Sequence, residues 1–142
     1  MRMSQPERFE VLVLGSGTGG KLVAWHMAQS GRRTAVVERL WIGGSCVNVA
    51  CMPSKNEISS AKVAHLARHA AQYGTVTNSV AVDMTAVRRR KREMVERQVA
   101  RHLQNYKASG TELRKMAASS QNEPQDGSML VDWRAARHEI GG

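Results

Sequence analysis

Phe9-Glu10-Val11-Leu12-Val13-Leu14-Gly15-Ser16-Gly17-Thr18-Gly19-Gly20 joins an apolar run rich in β-formers to the pattern G-x-G-x-x-G. An apolar run of this length that stops at glycine predicts a buried parallel strand over 9–14. The following residues, with Leu22, Val23, Trp25, His26 and Ala28 and a glycine stop at Gly31, predict a helix over Thr18–Gln29. Residues 34–37 read as a second short strand, ended by the charges of Glu38 and Arg39. Strand, helix and strand then form one α/β unit of about thirty residues. Each glycine has its own physical reason. Gly15 permits the tight turn, Gly17 lets the backbone approach a pyrophosphate, and Gly20 lets helix and strand pack closely. The helix amino end adds unpaired N–H groups and partial positive charge. Glu38, 18 residues beyond Gly20, is placed to hold a ribose hydroxyl. Dinucleotide binding is expected here. The bland alternative is a glycine turn that only packs a helix on a sheet.

A second run lies close downstream: Gly43-Gly44-Ser45-Cys46-Val47-Asn48-Val49-Ala50-Cys51-Met52-Pro53-Ser54-Lys55. Cys46 and Cys51 are the only two cysteines of the chain. The thiolate is the nucleophile in disulfide exchange, and helix amino ends favour it. Pro53 and Ser54 place a helix start close to Cys51, because the first-turn N–H groups lack partners and tolerate proline. The spacing allows the sulfurs to meet in disulfide geometry where the backbone bends. Two cysteines acting as small apolar residues is the other reading. Spacing alone leaves both open.

The flanking residues go further. This run, with Glu38 and the Gly15–Gly20 turn upstream, closely resembles the active-site region of the flavin-dependent pyridine nucleotide–disulfide oxidoreductases, the family of dihydrolipoamide dehydrogenase, glutathione reductase and mercuric reductase. The resemblance covers about the first 113 residues. It implies a Rossmann-like FAD-binding domain, a parallel sheet with helices, incomplete at its C-terminal side. It implies FAD rather than NAD at the glycine turn, with Gly15, Gly17, Thr18, Gly19, Gly20, Glu38, Arg39, Gly44, Ser45, Cys51 and Lys55 in the cofactor site. Cys46 would be the interchange thiol facing substrate. Cys51 would lie nearest the flavin as its charge-transfer partner, with Lys55 near the reactive edge of the ring. Those three are the expected catalytic residues. Ser45 stands where threonine is common and keeps the hydroxyl. Ala50 stands where glycine is common, and its methyl would resist positive φ.

In that family electrons run from NAD(P)H through FAD to the dithiol, and on to a disulfide or mercuric ion. The NAD(P)H domain and the dimerisation domain have no room in 142 residues, and no second G-x-G-x-x-G occurs. A truncated segment, inactive alone and without its family's homodimer contact, is therefore expected. His138-Glu139 lies in a different context from the family's acid/base pair and is given no role.

The rest is less specific. A helix is expected from Pro53 to about residue 73, ended by Gly74. Another, N-capped by Asp83, runs over 84–108. Residues 40–45 read as loop. From 114 to 142 the chain reads as an irregular, non-family tail. Apolar residues make up 42% and aromatics 4%, so the core is built from Val, Leu, Ala and Met. No apolar run approaches the ~18 residues of a membrane span, and a cytoplasmic protein is expected. The net charge of +9 favours anionic partners. Arg88-Arg89-Arg90-Lys91-Arg92 lacks aromatic platforms, and five consecutive helical residues turn through roughly 500°. A solvated helix surface is expected, not a nucleic-acid site. His65 and His69 share a helix face without a third ligand, so no metal site is expected. A non-catalytic nucleotide-binding module is the rival to the redox reading, and a basic nucleic-acid-binding protein the more distant one.

Overall fold

The computed structural model describes residues 7–121 and 130–135. Its elements are β1 (Val11–Leu14), α1 (Thr18–Gln29), β2 (Thr34–Glu38), α2 (Gly44–Asn48), α3 (Cys51–Arg68), a 3-10 turn (Ala70–Tyr73), α4 (Met84–Ser109), β3 (Glu112–Gln121) and β4 (Leu130–Ala135). They fall into two compact units. One holds the chain up to Gly44 and from His102 onward; the other holds Ser45–Arg101.

The first unit is a sheet with helix cover. The strand order is β1-β2-β3-β4. β1 and β2 run parallel, from Val11 opposite Thr34 to Leu14 opposite Val37. β2 and β3 are also parallel, from Ala35 opposite Glu112 to Glu38 opposite Lys115. β2 is buried along its whole length, as an inner strand covered on both faces must be. Ala24 of α1, Val36 of β2 and Tyr106 of α4 form the core, with Val13, Trp25, Ile42 and Leu113 packed around them. Tyr106 meets Trp25 edge to face at 5.5 Å. Lys21, also buried, donates from Nζ to His102 Nε2 at 3.1 Å.

Gly20 explains how close α1 comes to β1. A methyl group there would run into the Gly15 carbonyl and lie 3.1 Å from Val13 Cγ1. Gly20→Ala is expected to cost about 1–3 kcal/mol by overpacking. Urea denaturation measures it, and an unchanged midpoint would mean that the turn relaxes freely.

The end of the chain departs from expectation. Residues 116–121 and 130–135, expected to be irregular, pair antiparallel from Met116 opposite Ala135 to Gln121 opposite Leu130. Met116-Ala117-Ala118-Ser119-Ser120-Gln121 carries little intrinsic strand preference. Its ladder partner is β4, and β3 enters that pairing from its parallel register with β2 over Glu112–Lys115, a context that local composition does not carry. The expectations for 122–129 and 136–142 lie outside the described residues.

The second unit is helical. Asp83 caps α4 as expected, its Oδ1 accepting from the N–H groups of Thr85 (2.8 Å) and Ala86 (3.1 Å). Arg90 of α4 donates to the Asn56 carbonyl and to Ser60 Oγ of α3, both at 2.6 Å. Lys91 pairs with Glu57. α3 begins at Cys51, two residues before Pro53, and gives way to the 3-10 turn after Arg68. Among the described residues no helix is long and apolar enough to cross a membrane.

Candidate functional site

The glycine turn is built as its spacing requires. Gly15 has φ +92°, open to glycine but strained for other residues. Its N–H donates to the Val37 carbonyl at 2.8 Å, which ties the turn to β2. Gly17 is the N-cap of α1, and no side chain caps the helix. Nothing lies within 4 Å of where a Gly17 side chain would point. No acidic residue occupies the first turn of α1. Thr18 and Gly19 are exposed there. An uncapped helix amino end with an open glycine approach suits a phosphate group. Gly44, at φ +78°, sits against the same turn; a methyl on it would lie 2.7 Å from Gly17 Cα.

Glu38 lies at the end of β2, 9% exposed. Its Oε2 accepts from the Ser16 N–H (2.8 Å) and the Ser16 hydroxyl (2.6 Å). Its Oε1 accepts from the N–H groups of Leu40 (2.8 Å) and Trp41 (3.2 Å). Burial raises the carboxyl pKa, but the Ser16 hydroxyl and the backbone N–H groups of Leu40, Ser16 and Trp41 outweigh it. The net shift is downward from 4.5. Tyr106 feels this charge: burial first and Glu38 second push its phenol up to about 12, with the Ser16 hydroxyl pulling the other way.

Ser16 is the residue that the sequence reading missed. It is fully buried. Its hydroxyl donates to Glu38, has the Trp41 carbonyl at 3.2 Å as an alternative acceptor, and accepts the Gly43 N–H at 2.9 Å. It therefore joins the glycine turn, the end of β2 and the 40–44 loop. As a free position in G-x-G-x-x-G it carries no motif signal. The available signal is indirect: a carboxylate buried at the end of β2 needs donors, and a hydroxyl in the turn is one within reach. Arg39 is exposed beyond the strand end.

The cysteines belong to the second unit. Cys46 lies in α2 and is half-buried; Cys51 opens α3 and is exposed; both are thiols. The N–H groups of Val49 and Ala50 both donate to the Ser45 carbonyl at 2.9 Å, which closes α2 between the two sulfurs. Ala50 has φ −112°, so the alanine in the usual glycine position meets no positive-φ penalty. Lys55 is exposed on α3, one turn beyond Cys51 and on the same helix face. Ser45 is exposed in α2. His69 donates from Nδ1 to the His65 carbonyl at 2.8 Å, and the two rings lie 4.3 Å apart. Among the described residues no cluster of three or more His, Cys, Asp or Glu could hold a metal ion.

The architecture is a Rossmann-like α/β fold with a dinucleotide-type turn. A family model described as pyridine nucleotide-disulphide oxidoreductase matches residues 9–120, somewhat beyond the extent read from the sequence. The chain belongs to this family. It is 41% identical over 92 residues to dihydrolipoyl dehydrogenase of Bacillus subtilis (strain 168), a match covering 65% of this chain and 19% of the relative. It is 48% identical over 63 residues to the Corynebacterium glutamicum dihydrolipoyl dehydrogenase, covering 44% of this chain and 13% of the relative. The Cu(II) complex of the HOCl-induced flavoprotein disulfide reductase RclA from Escherichia coli shares the fold. Its TM-score is 0.62 at 20% identity, covering 89% of this chain and 26% of that one. The chain thus spans about a fifth or less of the length of the curated relatives it matches.

Proposed function

We propose that this chain is the FAD-binding, dithiol-bearing segment of an NAD(P)H-dependent flavoprotein reductase of disulfides or mercuric ion. The observation that carries the reading is the uncapped, acid-free amino end of α1 with open space over Gly17. Gly15, Gly17, Thr18, Gly19 and Gly20 would hold the diphosphate of FAD, with Gly44 beside them. The four donors on Glu38 already fill the acceptor positions of a carboxylate. A ribose hydroxyl would enter by replacing the Ser16 hydroxyl, which can turn to the Trp41 carbonyl. FAD, when bound, supplies the route by which electrons from NAD(P)H reach the cysteines.

The chemistry of the chain's own residues is thiol–disulfide exchange. The Cys46 thiolate attacks one sulfur of the substrate disulfide. A Cys46–substrate disulfide forms and one substrate thiolate leaves. The Cys51 thiolate then attacks Cys46 Sγ, closing the Cys46–Cys51 bond and expelling the second substrate thiolate. One substrate disulfide becomes two thiols, and one dithiol becomes a disulfide. Lys55, as a cation one turn beyond Cys51, would favour negative charge near that sulfur.

Refolding the 142-residue chain with excess FAD tests the reading. A yellow chromophore should remain through gel filtration and bleach with dithionite, with two thiols appearing on reduction. NADPH added to that complex should not be oxidised in sustained turnover. A colourless polypeptide would overturn the FAD assignment.

A further inference from the structure

The basic run on α4 is not uniformly solvated surface. Residues 88, 91, 92 and 95 recur at i, i+3, i+4 and i+7, one face of a helix. In the second unit Arg88, Lys91, Arg92 and Val95 form one side of a cleft of about 420 Å³. Asn48, Val49 and Pro53 form the other. The run thus divides by position: Arg90 leaves this face to hold α3 at Asn56 and Ser60.

The charges in the cleft are unequally balanced. Lys91 is paired with Glu57. Arg88 and Arg92 make no hydrogen bond or ion pair among the described residues. Like charges at i and i+4 repel, so an anion between them would relieve a cost already present in the fold. Guanidinium groups present a planar fork of donors that matches a carboxylate. The apolar side chains of Val49, Pro53 and Val95 give the cleft a surface for the carbon part of such a ligand.

The opposite wall connects this cleft to the dithiol. Asn48 and Val49 lie in sequence between Cys46 and Cys51, and Pro53 shares the first turn of α3 with Cys51. We infer that the cleft is an anion subsite for the disulfide that reacts with Cys46 and Cys51, holding a substrate carboxylate on Arg88 and Arg92. The inference rests on the dithiol reading above and adds the charge class of the substrate.

The test uses the reduced 142-residue chain and two reagents, dianionic 5,5′-dithiobis(2-nitrobenzoate) and neutral 4,4′-dithiodipyridine. Second-order rates are measured for wild type, for Arg88→Gln/Arg92→Gln, and for Arg89→Gln/Arg97→Gln, which removes the same charge outside the cleft lining. Arg88→Gln/Arg92→Gln should slow the dianion about tenfold, through lost local attraction, and leave the neutral reagent within about twofold. Arg89→Gln/Arg97→Gln should change neither rate by more than about twofold. The neutral reagent also reports that each variant is folded. Equal slowing by the two double variants, or a ratio blind to Arg88 and Arg92, overturns the subsite alone. Thiols that react with neither reagent overturn the dithiol reading and the subsite with it.

Discussion

Glu38→Ala should lower the unfolding free energy by about 3 kcal/mol. The side chain is buried, and its removal strands the N–H groups of Ser16, Leu40 and Trp41 together with the Ser16 hydroxyl. A buried donor left without its charged acceptor costs about 1–3 kcal/mol. Partial rescue by water entering the gap keeps the sum well below a simple total. Urea denaturation of the two proteins at neutral pH measures the difference, and a loss below about 1 kcal/mol would show that the loop re-forms its bonds elsewhere. The acid limb adds a second readout. The folded pKa of Glu38 lies below its ordinary value of 4.5, so the stabilisation is complete above 4.5. As the pH falls below that value the unfolded chain takes up the proton first, and the stabilisation disappears as the pH passes through the folded pKa. The gap between wild type and Glu38→Gln, an uncharged side chain of similar shape, should therefore narrow below pH 4.5.

Loss of either sulfur should eliminate two-electron capacity. With one equivalent of 5,5′-dithiobis(2-nitrobenzoate), the reduced wild-type chain should release two thiolates and end as a ring-closed disulfide with no adduct. Cys46→Ser and Cys51→Ser should each release one thiolate and keep a stable mixed disulfide, visible by mass spectrometry. Only four residues separate the cysteines, so the second thiol acts at a high effective concentration on the first adduct. α2 closes at the Ser45 carbonyl, and α3 opens at Cys51, so the chain bends between the two sulfurs. A wild-type chain that keeps its adduct would mean the two sulfurs never meet.

Much of this was legible in the residues. The bounds of α1, Thr18–Gln29, follow from apolar spacing and a glycine stop, both local signals. The close approach at Gly20 follows from the motif, since only a hydrogen fits beside the Gly15 carbonyl. The cap at Asp83 was equally local. What escaped depends on distant partners. α2 is one turn long, and Gly44-Ser45-Cys46-Val47-Asn48 has no periodicity to detect. β3 is a strand because β2 offers a backbone edge to Glu112–Lys115 and β4 a second one to Met116–Gln121, whereas the small and polar residues of 117–121 point to loop. Arg88, Lys91 and Arg92 were present as a charge run, but their grouping against Asn48 and Val49 required the pairing of α3 with α4. Ser16 escaped for the same reason: its role exists only where turn, strand end and loop meet.

That meeting point also sets how the unit opens. The amides of Ser16, Leu40, Trp41 and Gly43 all terminate on one carboxylate and one hydroxyl. Opening the Ser16, Leu40 or Trp41 amide removes a donor from the buried carboxylate, and opening the Gly43 amide removes one from the hydroxyl that serves it. The four should therefore open as a single cooperative group, with the glycine turn and the loop before the cysteines sharing one opening free energy.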